Sequence, residues 1–293
     1  MIKFMKYYWV YFILSSLVIL PGLYSLVRWG IKPSIDFTGG TLLELQVEPD
    51  ETGFDQNTLR QLAEENNIEV ASVRTSGENS YLLQAKPFDQ AANTALQEKV
   101  ASAAATVTEK RFETLGPTLG AEMLKKTLTA IGVASFGILL FVWKQFNDKK
   151  YGICAILGMF HDTLVVFGIF SLLGHFYSVE IDTLFMTAVL TILSFSVHDT
   201  IVVYDRIRES LHKFPTVPYR TIVNKAVNET LGRSVNNSMT IIFMLLTLYL
   251  LGGETTRWFV LALLIGTVSG TYSSTFVAAP LLVLWERVFE KKK

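Results

Sequence analysis

The chain has 293 residues, half of them hydrophobic, and its 26 basic and 26 acidic side chains leave no net charge. With only 18% charged residues and a positive mean hydropathy of +0.36, it fits a polytopic membrane protein better than a soluble domain. The neutral balance, with no basic stripe carrying interleaved aromatics, gives no nucleic-acid surface. The single cysteine, Cys154, permits neither an internal disulfide nor zinc-ligand spacing, so no metal is expected.

Taken in chain order, the first apolar run is Tyr7–Val27, preceded by Lys3 and Lys6. It is longer than the apolar region of a signal peptide, and no A-x-A pattern follows it, so an uncleaved first span is expected. Further apolar runs lie at Thr127–Trp143, Tyr151–Leu173, Leu184–Tyr204, Val235–Leu251 and Phe259–Leu284. Six transmembrane helices are therefore predicted.

Residues Asp36–Glu122, between the first two spans, are polar and acidic. Thr41–Val47 has strand character, Asn57–Asn66 reads as a short helix, and Ile68–Thr75 and Ser80–Lys86 read as strands about a turn at Gly77-Glu78-Asn79. A helix at Ala91–Thr108 and a last strand at Phe112–Leu115 complete the order β-α-β-β-α-β, that of a ferredoxin-like α/β sandwich. The expected division is a first helix at 1–30, an extracytoplasmic domain at 31–125 and a five-helix region at 126–293.

Lys and Arg set the expected orientation. Lys3, Lys6, Lys144, Lys149, Lys150, Arg206, Arg208, Lys213, Arg220, Lys225, Arg233, Arg287 and Lys291–Lys293 all fall on one side. The short opposite loops, His175–Asp182 and Gly252–Arg257, carry none and one. Both termini are expected in the cytoplasm, with the polar domain outside.

The fourth span carries the most informative stretch, Phe195–Glu209 (FSVHDTIVVYDRIRE). A carboxylate at mid-membrane costs roughly 2.5–3.5 kcal/mol on the insertion scale, so Asp199 is a candidate for an ion or proton path. Thr187, Thr191, Ser194 and His198 share one helical face, expected to point at other helices. The threonines are equally explained by bonds to their own helix carbonyls. His198 is either a proton partner of Asp199 or a hydrogen-bonding wall beside it. Arg233, at the inner edge of the fifth span, is either a snorkelling anchor or an ion-pair partner of Asp199. His161-Asp162, an adjacent pair in the third span, either lines the same path or bonds helix to helix. Gly266-x-x-x-Gly270 with Ser273 and Ser274 suits close helix packing. Outside the spans, Gly39-Gly40 offers positive φ or close backbone approach where the chain turns into its first strand. No phosphate-binding lysine and no helix follow it, so it is not a nucleotide site, and no cofactor or catalytic residue is expected.

Ile35–Gly40 (IDFTGG), Leu115–Glu122 (LGPTLGAE), His161-Asp162, Asp199–Glu209 (DTIVVYDRIRE) and Thr230–Ser234 (TLGRS) stand in an order that resembles the SecD/SecF family of bacterial protein-export membrane proteins. The external region is of the smaller size found in its SecF branch. The resemblance covers essentially the whole chain. It implies a fold of the resistance–nodulation–division type, in which this six-span half pairs with a second half from SecD in the cytoplasmic (inner) membrane. It further implies use of a proton or sodium gradient to draw preproteins outward after the SecYEG channel, with YajC and membrane lipids as further partners. Asp199 matches the family's intramembrane aspartate and Arg233 its partner arginine, with His198, His161 and Asp162 alongside. Asp36, Gly39, Gly40, Gly116 and Pro117 match its structural motifs. His198 stands where the family commonly has Asn, which leaves the coupling ion open. The alternatives are a small-solute efflux subunit of the same fold class and a passive membrane scaffold.

Overall fold

The computed structural model describes residues 2–48, 54–75, 79–104, 106–146 and 148–290, without the side chains of Glu48, Glu254 and Glu290. The chain divides into two units, one comprising Met1–Lys32 with Thr129–Lys293, the other Pro33–Leu128.

The second unit opens on a single turn of helix, α2 (Ile35–Thr38), whose first turn is capped by the Ser34 hydroxyl accepting from Asp36 N. Strands β1 (Gly40–Glu48), β2 (Val70–Thr75), β3 (Ser80–Ala85) and β4 (Thr106–Leu115) form one antiparallel sheet in the order β2-β3-β1-β4. Helices α3 (Gln56–Glu65) and α4 (Gln90–Ala103) contribute Leu59, Ala63, Leu96 and Val100 to its core. Alternation in β1 sends Leu43, Leu45 and Val47 into that core, as a period of two requires. Both helices start on an aspartate whose side chain accepts a backbone N–H, Asp55 from Thr58 and Asp89 from Ala92.

The β-α-β-β-α-β order is the one expected, and only the boundary between the second helix and the last strand moves by more than two residues. Residues 106–108, expected at the end of a helix, open β4 instead, and the last strand is ten residues long. Thr106, Val107 and Thr108 are β-branched and pair with Glu48, Val47 and Gln46, so sheet pairing outweighs the helical tendency of the alanines before them. Gly77 and Glu78, expected in the hairpin turn, lie outside the described residues, as do Lys291–Lys293; Asn79, which follows the turn, has φ +58.

Among the described residues, six helices are long and apolar enough to cross a membrane; five lie in the first unit, and α5 begins in the second unit and ends in the first. They are α1 (Tyr8–Arg28), α5 (Pro117–Phe146), α6 (Lys149–Tyr177), α7 (Thr183–Lys213), α8 (Tyr219–Leu251) and a last span made of α9 (Glu254–Ser273), a π-helical turn (Ser274–Ala278), α10 (Ala279–Trp285) and a second π turn (Glu286–Glu290). Two helices are much longer than their apolar runs. α5 starts at Pro117, a residue suited to the first helical position. α8 starts at Tyr219, and its polar first half hides a helical stripe of Ile222, Val223, Ala226, Val227 and Thr230, all buried. Asn224 and Asn228 on that half hold the chain's beginning: each donates from Nδ2 to the Ile2 carbonyl at 2.9 Å and accepts a backbone N–H, from Met5 and Ile2 respectively.

α1 runs along α6 in constant register. Ser15 meets His161, the backbones of Gly22 and Gly168 touch, Ser25 meets Ser171, and Lys32 meets Ser178, each pair 146 residues apart. An unchanging offset at equal rise per residue requires parallel helices. A Cβ on Gly22 would lie 2.8 Å from Gly168 Cα, so only glycine permits this approach.

Candidate functional site

α6, α7, α8 and the last span converge on two buried carboxylates. The small-residue face of α9 allows this: a Cβ on Gly266 would strike the Ile192 side chain on α7, and one on Gly270 would press on Ser196. Close packing there brings serines of α9 within reach of both aspartates.

Asp162 is fully buried. Its Oδ1 accepts from Ser269 Oγ at 2.6 Å and lies 3.0 Å from His161 Nδ1, while its Oδ2 accepts from Ser196 Oγ at 2.5 Å and Ser273 Oγ at 2.6 Å. Three hydroxyl donors and one imidazole nitrogen thus surround the carboxylate, one for each of its four lone-pair positions. The other ring nitrogen of His161, Nε2, lies 2.9 Å from Ser15 Oγ.

Asp199 is buried with a far smaller shell. Ser234 Oγ lies 2.7 and 2.6 Å from its two oxygens, and Ser274 Oγ bonds Oδ2. Two hydroxyl protons leave acceptor positions open. The adjacent serines that end α9 and begin the π turn are thus divided between the two sites, Ser273 to Asp162 and Ser274 to Asp199. π turns inside α-helices occur frequently at functional sites.

Arg233 is not at Asp199. It is exposed and joins none of the described ion pairs; its neighbour Ser234 occupies the place expected for it. Consecutive helical residues point about 100° apart, so a helix that aims Ser234 at α7 turns Arg233 away. His198 is likewise exposed beside buried Asp199. The face of Thr187, Thr191, Ser194 and His198, expected against other helices, is exposed on this chain. Thr187 and Thr191 satisfy themselves on the carbonyls of Thr183 and Thr187 at 3.0 and 2.9 Å.

In the second unit, Gly39 and Gly40 take φ +73 and +134. A Cβ on Gly39 would sit 2.6 Å from Pro117 Cα, and one on Gly120 would sit 2.7 Å from Gly39 N. The turn holding Asp36, Gly39 and Gly40 therefore lies backbone-to-backbone on the segment holding Gly116 and Pro117, although Gly39 and Pro117 are 78 residues apart in sequence.

The sequence reading missed Ser15, Ser196, Ser234 and Ser269 and gave Ser273 and Ser274 only a packing role. Ser269 and Ser273 stand four apart on an apolar helix, a spacing that puts two hydroxyls on one face.

Residues 95–288 match the family model for the protein export membrane protein SecD/SecF, C-terminal, and residues 25–51 match the SecD/SecF GG motif. The chain belongs to the SecD/SecF family. The protein translocase subunit SecF of Thermobaculum terrenum is 42% identical over 301 residues, covering 98% of this chain and 94% of that protein. That of Anaerolinea thermophila is 37% identical over 290 residues, covering 95% and 92%. The crystal structure of SecDF, a translocon-associated membrane protein from Thermus thermophilus, superposes with a TM-score of 0.87 at 34% identity, covering 98% of this chain. This chain spans 39% of that longer one. With six apolar helices and this kinship, the chain is a multi-pass membrane protein of the protein-translocase subunit class.

Proposed function

We propose that the chain is the ion-responsive half of a two-part export machine. It pairs with SecD in the cytoplasmic membrane and uses a proton or sodium gradient to promote preprotein movement through the SecYEG channel. Its termini face the cytoplasm and the unit Pro33–Leu128 faces outward. The positive charge of the loops supports this orientation. Pairing with SecD is supported by the Thermus SecDF relative, of which this chain matches 35%. It is also supported by the exposed polar stripe from Thr187 to His198, which lipid would cover poorly.

The observation that carries the mechanism is the incomplete shell of Asp199. Two hydroxyls and, among the described residues, no cation hold this carboxylate, so in a low dielectric a bound proton or an incoming cation is what would neutralise it. Loss of the proton creates a charge that the serines alone compensate poorly, and Arg233 stands one residue from Ser234. A turn of α8 that exchanges Ser234 for Arg233 gives the second state, an ion pair. Two discrete packings of α7 against α8, chosen by the charge on Asp199, make a switch of the helix-shift kind.

The test is export into membrane vesicles carrying the complex with SecD. Asp199→Asn removes gradient-dependent stimulation while assembly with SecD persists, and Arg233→Gln does the same. Undiminished stimulation by Asp199→Asn overturns the reading. Imposing a sodium or a proton gradient separately identifies the ion.

A further inference from the structure

His161 joins two networks, and the hydrogen count around it allows two protonation states without moving a heavy atom. Three serine hydroxyls already donate to Asp162, so the 3.0 Å contact with His161 Nδ1 needs a proton between the two atoms, and imidazole, the more basic group, carries it on Nδ1. On the other side, Nε2 meets Ser15 Oγ at 2.9 Å. Ser15 Oγ also lies 3.4 Å from Tyr272 Oη, whose own proton is committed to the Tyr11 carbonyl at 2.8 Å. When His161 is neutral, the Ser15 hydroxyl donates to Nε2. When Nε2 carries a proton, it donates to Ser15 Oγ, and the Ser15 proton turns to Tyr272 Oη. One hydroxyl rotation converts one satisfied network into the other, and no covalent bond changes apart from the added N–H.

Charge decides between them. The neutral imidazole leaves one uncompensated negative charge inside the helix bundle, whereas the imidazolium makes a net-neutral pair with Asp162 at 3.0 Å. A buried charge pair is far less costly than a lone buried charge. The titratable group beside the pair is Tyr272 on α9, its ring centroid 6.1 Å from that of His161, and on α7 Asp199 follows Ser196 by three residues. Among the described residues no Lys or Arg forms an ion pair with Asp162. We propose that His161 and Asp162 form a second proton-binding site, separate from Asp199, in which the proton sits on His161 Nε2 and Ser15 is the hydroxyl that accommodates it, closing α1 onto α6. This goes beyond the role given to Asp199, and its test does not involve export.

The chain contains only four histidines, and His175, His198 and His212 are exposed. The full-length protein, labelled with ¹⁵N-histidine in lipid nanodiscs, is followed by NMR as pH rises, with His161→Gln assigning the signal. His161 retains the imidazolium signature at a pH where the other three have lost it. Ser15→Ala removes the acceptor for Nε2–H and lowers the imidazolium-to-neutral ratio of His161 roughly tenfold, the scale of a hydrogen bond to a charged group. Ser269→Ala removes a donor that competes for the carboxylate and raises the ratio several-fold. Asp162→Asn abolishes the signature, and Asp199→Asn leaves it in place. A His161 that loses its proton together with the exposed histidines overturns the proposal. So do serine variants that shift the ratio in the same direction or not at all, and so does loss of the signature in Asp199→Asn. The two serine variants keep the test decisive if Asp162→Asn fails to fold.

Discussion

Both units enclose apolar side chains, but they differ in the polar groups they bury and in what they leave outside. Around the sheet Leu43, Leu45, Leu59, Leu83, Leu96 and Val100 are wholly enclosed, and the buried polar side chains are the uncharged Thr41, Ser80 and Asn93. Among the spans, large apolar residues such as Leu17, Val27, Phe136 and Leu251 face outward, while Asp162, Asp199, Ser196, Ser234, Ser273 and Ser274 lie inside. The difference follows from the solvent. Water drives leucine inward around the sheet, but lipid tails are as apolar as leucine and give no such push. Helices in lipid are gathered by close packing at small residues and by polar bonds, which is what the α1–α6 register of Ser15, Gly22 and Ser25 supplies.

The largest expected effect tests a feature both units share, backbone against backbone. Gly39→Val combines a positive φ with a side chain driven into the Pro117 backbone, and its cost is on the order of 4 kcal/mol or more. Gly22→Val meets only the Gly168 backbone, in ordinary helical geometry, and two helices can part slightly, so about 1–3 kcal/mol is expected. Hydrogen exchange locates the damage. In Gly39→Val the amides of β1 and β4 lose protection. The fluorescence of Trp9, Trp29, Trp143, Trp258 and Trp285, all in the membrane unit, stays unchanged. A greater loss for Gly22→Val reverses the ranking and refutes the account of the Gly39 turn.

Next in size is the same deletion made in the two solvents. Leu43→Ala empties part of a closed core and costs about 2–5 kcal/mol, read as faster exchange throughout the sheet. Leu17→Ala on α1, where the leucine is 71% exposed, changes thermal stability in detergent by less than about 0.5 kcal/mol. Comparable losses at the two positions end the idea that the units are held together by different forces.

Hydrophobic pattern makes the architecture legible in the sequence. Six apolar runs marked the spans, and alternation with turn residues marked the strands and helices of the sheet unit in their order along the chain. What escaped has a common cause: hydropathy and local propensity do not register tertiary partners. The first half of α8 falls outside the expected fifth span, Val235–Leu251, because its apolar stripe is diluted by Asn224, Asn228 and Glu229. Thr106–Thr108 looked helical until β1 was available to pair with them. At the site, the aspartates announced themselves by their cost in a membrane, but serine is common in membrane helices for packing alone. Nothing local distinguishes Ser234, a ligand of Asp199, from a spacer. Arg233 was the more conspicuous neighbour and drew the assignment, yet the helix points its unobtrusive partner inward.

The smallest expected effect is also the most direct probe of what joins spans in lipid. Ser25 donates to Ser171 at 2.7 Å, because the single Ser171 proton goes to the Gly30 carbonyl at 2.5 Å. This relay ties the end of α1 to α6 one turn beyond the Gly22–Gly168 contact. Ser171→Ala leaves both the Ser25 hydroxyl and the Gly30 carbonyl without this partner, whereas Ser25→Ala leaves the Ser171–Gly30 bond standing. Ser171→Ala is therefore the more costly single change. The double-mutant cycle, measured by thermal denaturation in detergent, gives a coupling of about 0.6 kcal/mol, the usual value for a hydrogen bond between membrane helices. A coupling near zero removes the hydroxyls from the account and leaves the glycine contact to hold α1 to α6. A coupling of several kcal/mol, comparable with Leu43→Ala, makes polar bonds in the spans as strong as apolar burial in the sheet.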